Sequence, residues 1–99
     1  MLGAIRLAGA VPRCVALRAP HFAIDEEALR AAASSQRAKM LVLNTPQNPT
    51  GHVATSSELQ LVADVCREHN LLAVADEVYE HCVFGGAKSP DLDPNPRPL

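Results

Sequence analysis

Two unbroken apolar runs constrain this chain most: Met40-Leu41-Val42-Leu43, closed by Asn44, and Leu71-Leu72-Ala73-Val74-Ala75, closed by Asp76-Glu77. Neither run alternates apolar with polar positions, so each suits a strand buried on both faces of a parallel sheet. Parallel neighbours need a crossover, and the sequence between the runs supplies one. Thr55-Ser56-Ser57-Glu58 is a capping box, in which the first and last residues each satisfy the other's free backbone donor at a helix start. Leu59, Val62, Ala63 and Cys66 then share one helix face, and Asn70 suits a C-terminal stop. The spacing fits a right-handed βαβ crossover.

Upstream, residues 14–17 are short, apolar and flanked by Pro12 and Pro20, which predicts a further strand. Asp25 is a good N-cap with Glu26 and Glu27 in the electropositive first turn, and Ala28, Leu29, Ala32 and Ala33 form an apolar stripe. This predicts a helix ending near Ser34 or Ser35. The resulting order of strand, helix, strand, loop, helix, strand is α/β architecture.

At 99 residues the chain holds at most one domain, near the lower limit for a self-sufficient core. Its only aromatic residues are Phe22, Tyr79 and Phe84, so Leu, Val and Ala must build the interior. Nine basic against eleven acidic residues leave no electrostatic footprint for nucleic acid or an anionic membrane. No apolar stretch approaches the roughly 20 residues that cross a bilayer. The partners to expect are small molecules or protein subunits.

Cys14, Cys66 and Cys82 are an odd count without a C-x-x-C pair or secretory leader, which favours a reduced intracellular setting, cytoplasmic or organellar. Arg6, Arg13 and Arg18 precede the first acid, as in an organellar transit peptide. The same segment lacks Ser and Thr, however, and Val11, Val15 and Leu17 read as folded strand. Beyond Phe84 the chain turns Pro-rich, with four of its eight prolines in the last ten residues. Residues 85–99 are expected to be a disordered or extended tail after a folded region spanning 1–84.

In an open parallel sheet, ligands sit beyond the carboxyl ends of the strands. The loop Asn44-Thr45-Pro46-Gln47-Asn48-Pro49-Thr50-Gly51 falls there after one strand, and Asp76 with Tyr79 after the other. A carboxylate at a buried sheet end calls for a cation, because an unpaired charge is costly to desolvate. Simpler readings exist for each part. Asn-Pro-Thr-Gly is an ordinary turn sequence, Asp76 could cap the 77–81 turn, and Tyr79 could be a core aromatic. The four histidines and three cysteines have no recognised metal-ligand spacing, and Cys66 reads as core packing.

The phrase Leu43-Asn44-Thr45-Pro46-Gln47-Asn48-Pro49-Thr50-Gly51, followed 28 positions after Asn48 by Asp76-Glu77-Val78-Tyr79, resembles the fold type I aminotransferases, especially their kynurenine aminotransferase-like branch. The similarity runs from about Leu7 to Phe84. It implies part of a three-layer αβα large domain that binds pyridoxal 5'-phosphate, with Asp76 pairing to the pyridinium nitrogen. Asn48 and Tyr79 would bond the cofactor's phenolic oxygen, and the Asn48-Pro49 bond is often cis in such proteins. The resemblance also implies amino-group transfer between an amino acid and a 2-oxo acid, and a homodimeric parent enzyme.

The Schiff-base lysine of that family has no counterpart here. Lys39 opens a strand ahead of the loop, and Lys88 lies 12 residues past Asp76 outside the family's Ser-x-x-Lys context. No catalytic residue is therefore assigned, and the chain alone is expected not to transaminate. The switch into Pro-rich sequence suggests truncation, alternative splicing or a fragmentary gene. A non-catalytic cofactor-binding or subunit-pairing fragment is the competing reading. A nucleotide-binding α/β domain is disfavoured by the lack of G-x-G-x-x-G and G-x-x-x-x-G-K-[ST].

Overall fold

The computed structural model describes residues 1–84. Five elements follow in order: α1 (Leu2–Leu7), α2 (Glu26–Ala33), β1 (Met40–Asn44), α3 (Ser56–His69) and β2 (Leu72–Asp76). The strands pair in parallel, with Met40 opposite Leu72 and Asn44 opposite Asp76. This is the α/β arrangement expected from the two apolar runs.

The helix signals act as written. Asp25 caps α2 by accepting from the Ala28 backbone N–H at 3.1 Å. Thr55 and Glu58 form the complete capping box of α3, and Asn70 ends that helix in the left-handed conformation, at φ 52°. An Asn tolerates that region because its short amide compensates locally.

The core lies between α2, α3 and one face of the sheet. Leu29, Ala33, Val62, Val65, Cys66 and Leu71 are buried together, and Leu41 and Leu43 pack against them. Val65, the most deeply buried side chain, sits one helical turn from the expected Leu59–Val62–Cys66 face and widens it.

Two expectations change. Residues 14–17 form no strand; their neighbourhood carries only an isolated antiparallel bridge from Arg18 to Ala23. Pro12 and Pro20 remove backbone donors on either side, although Val15 still packs on the core. The short helix α1, with no buried residue, precedes that segment, where no element was expected. Neither strand is buried on both faces: Met40 is 53% exposed, Leu72 57% and Val74 37%. Side chains alternate across a strand, so helices on one side cover Leu41 and Leu43 and leave Met40, Val42, Leu72 and Val74 on the other. The expected tail, 85–99, lies outside the described residues.

Candidate functional site

Parallel pairing brings the carboxyl ends of β1 and β2 together. Asn44 and Asp76 are cross-strand partners, and the Thr45 backbone N–H donates to the Asp76 carbonyl at 3.1 Å just past the sheet. The loop after β1 and the turn after β2 thus start side by side. The Asn48 side-chain amide donates to the Tyr79 hydroxyl at 3.1 Å. Asn48, Asp76 and Tyr79 are therefore gathered at one end of the sheet.

The loop is held from within and from both ends. Thr45 is buried, and its hydroxyl accepts from the Ala54 backbone at 2.8 Å. The Gly51 N–H donates to the Gln47 carbonyl and the Gln47 N–H to the His52 carbonyl, both at 2.8 Å, while the Thr50 hydroxyl bonds the Gln47 side chain. Gly51 takes φ 73°, a left-handed conformation suited to glycine. The Asn48-Pro49 peptide is cis, as the resemblance implied, and so is Thr45-Pro46.

Asp76 is half-buried, and Val78 N–H reaches its Oδ1 at 3.3 Å, a turn bond two residues on. Among the described residues no Lys, Arg or His lies within ion-pair distance of it. Tyr79 is 38% exposed and Asn48 is exposed, so the reading of Tyr79 as a core aromatic does not hold. The donor set fits a flat cationic heteroaromatic group with a phenolic oxygen. Such a ring would bring the positive charge that the Asp76 carboxylate lacks, and the Asn48 amide and Tyr79 hydroxyl offer donors to one oxygen.

Two further features were not legible as parts of a site. The Asn44 Oδ1 is buried without a hydrogen-bond partner. Asn44 also lines a cavity of about 200 Å³ beside β1, together with Val15, Leu17, Ile24, Gln47 and His52. Neither Asp76 nor Tyr79 lines that hollow, and it is smaller than the roughly 300–1,000 Å³ of ordinary ligand pockets. The converging polar groups, not the cavity, mark the candidate site.

The second feature is a junction at Glu58. Its carboxylate accepts from Ile24 N–H at 2.9 Å and Thr55 N–H at 2.8 Å, and meets His52 Nε2 at 3.1 Å. Burial works to raise its pKa, but the backbone bonds from Thr55 and Ile24, the Thr55 hydroxyl and nearby His52 together hold it below the usual glutamate value. The capping box announced Glu58 in the sequence. Its reach to Ile24, 34 residues away, had no local sign.

Among the described residues no group of three His, Cys, Asp or Glu side chains is arranged to hold a metal, and no helix is long and apolar enough to cross a membrane.

The family model described as "Aminotransferase class I and II" matches residues 1–97, beyond both ends of the 7–84 resemblance. The aspartate aminotransferase of Geobacillus stearothermophilus is 44% identical over 85 residues, covering 85% of this chain and 21% of that protein. Mouse kynurenine–oxoglutarate transaminase 3 is 40% identical over 92 residues, covering 83% and 20%. Among solved structures, Escherichia coli YbdL, described as having a methionine aminotransferase function, superposes with a TM-score of 0.82 at 31% identity, covering 90% of this chain and 23% of that one. The chain thus spans about a fifth of the length of the curated relatives it matches.

Proposed function

Because the chain belongs to the class I and II aminotransferases, a pyridoxal-phosphate-dependent family, we propose that it forms the ring-recognition part of an aminotransferase site within a partial large domain, residues 1–84. The parent activity on this reading is amino-group transfer between an amino acid and a 2-oxo acid, in a homodimer. The observation that carries it is the Asn48–Tyr79 hydrogen bond beside an Asp76 carboxylate without a cationic partner among the described residues.

Pyridoxal 5'-phosphate, when bound, supplies the electron sink that makes amino-group transfer possible. Asp76 would hold a proton on the ring nitrogen by charge pairing at its carboxylate. Asn48 and Tyr79 would orient the ring by donating to its phenolic oxygen, each from a segment anchored to a different strand. The segment from Thr45 to Ala54 keeps Asn48 in reach through the buried Thr45 hydroxyl.

Lys39 cannot serve this end of the sheet. It precedes β1 at the amino end, and five steps along the strand at about 3.3 Å each separate it from Asn44, on the order of 16 Å. On this reading the 99 residues by themselves act as a binding element, with no lysine in the family's Ser-x-x-Lys context, and are expected not to transaminate. A second reading, a subunit- or domain-pairing fragment, is favoured by the open apolar face of Met40, Leu72 and Val74. Co-purification with an intact aminotransferase subunit would support it.

The test is thermal unfolding of the purified chain by circular dichroism with and without excess pyridoxal phosphate. A cooperative melt that rises with cofactor in wild type but not in Asp76→Ala supports the reading, since a ligand that prefers the folded state stabilises it. A melt indifferent to cofactor overturns it.

A further inference from the structure

We infer that Glu58, acting through His52, is a positioning residue for the Asn48–Tyr79 pair; this rests on reading that pair as a contact to the cofactor ring. Asn48 lies within residues 47–51, a turn with no regular secondary structure to hold it. The turn closes on itself through Gly51 N–H to the Gln47 carbonyl, and it ends on His52. His52 is bonded into the turn twice, its carbonyl accepting from Gln47 N–H and its N–H donating to the Thr50 hydroxyl at 3.2 Å. The His52 ring then reaches out of the turn to both Glu58 oxygens, at 3.1 and 3.2 Å.

Glu58 is a firm anchor. It sits in the first turn of α3, and its oxygens are also held by the backbone of Thr55 and Ile24. The two side chains are mostly buried, with 18% of His52 and 12% of Glu58 exposed, so solvent screens the pair less than an ordinary surface ion pair. The other end of the loop is fixed at Thr45. Without the Glu58–His52 link the turn would hang from Thr45 and Ala54 alone, and Asn48 would lose its fixed distance to Tyr79.

Tyr79 is the chain's only tyrosine and there is no tryptophan, so intrinsic fluorescence reports on Tyr79 alone. Asn48→Ala sets the emission of the unpaired hydroxyl. His52→Ala is expected to move the emission fully to that value while the far-ultraviolet dichroism stays unchanged. His52→Gln, which keeps a donor toward Glu58, is expected to return it to wild type. Glu58→Ala should match His52→Ala, with no further change in the double variant. If Glu58→Ala does not fold, the two His52 variants decide. Emission of His52→Ala staying at the wild-type value, or no return in His52→Gln, overturns the inference. Equal emission from wild type and Asn48→Ala overturns the pair itself. Emission that behaves as expected while pyridoxal phosphate changes nothing leaves the positioning role standing and sinks the cofactor reading.

Discussion

Asn44 and Asp76 face each other as the last cross-strand pair of the parallel sheet, and everything the candidate site contains leaves the sheet from these two residues. A shift of one residue in this register would move Asp76 off the face it shares with Asn44, because side chains alternate sides along a strand. The register is therefore as much a part of the site as the side chains.

Thr45 is buried, and its hydroxyl accepts from Ala54 N–H. Thr45→Val keeps the volume but orphans that donor, a loss of roughly 1–3 kcal/mol. Urea denaturation followed by circular dichroism should show a lower midpoint with an unchanged slope, and an unchanged midpoint would contradict it.

Stability should fall in acid through Glu58. Its pKa is lowered in the folded state, so its contribution is present above the unfolded glutamate value of about 4.3 and is lost as pH drops through the folded value. Urea midpoints between neutral pH and about pH 3 should decline less steeply in Glu58→Gln than in wild type. Parallel declines would refute the assignment.

Val65 is fully buried at the centre of the core. Val65→Ala should cost about 2–3 kcal/mol, the lost transfer energy of two methyl groups plus the cavity they leave. For so small a chain that loss is expected to abolish the cooperative melt, and a melt within a few degrees of wild type would be inconsistent with this packing.

The three cysteines should separate by reactivity. Cys14 and Cys82 are exposed, whereas Cys66 is buried and its burial pushes the thiol pKa up. A chromogenic disulfide reagent should titrate two thiols rapidly in the native protein and the third only in denaturant. Three equally fast thiols would mean that α3 does not pack as described.

The open sheet face predicts self-association. Leu72 is more than half exposed beside Met40 and Val74, on a strand whose outer edge is unpaired among the described residues. Leu72→Lys should raise the concentration at which the chain stays monomeric in analytical ultracentrifugation. An unchanged profile would show that this face does not drive association.

Sequence by itself determined the elements whose causes are local. The capping box at Thr55 and Glu58, the Asp25 cap, the left-handed stop at Asn70 and the two apolar runs are each decided within a few residues, and each element formed where it was read. The motif pair around Asn48 and Asp76 likewise placed both segments at strand ends. Only the tertiary structure decided what depends on partners far along the chain. Residues 14–17 are apolar enough for a strand, yet a strand exists only where a neighbour offers a ladder, and β1 forms its ladder with β2. Burial of the sheet faces depends on which layers pack there, and the core built from α2 and α3 reaches only Leu41 and Leu43 of the strands. The Glu58 junction with Ile24 and His52 arises because folding brings three separate segments to one carboxylate, a convergence that no local pattern encodes.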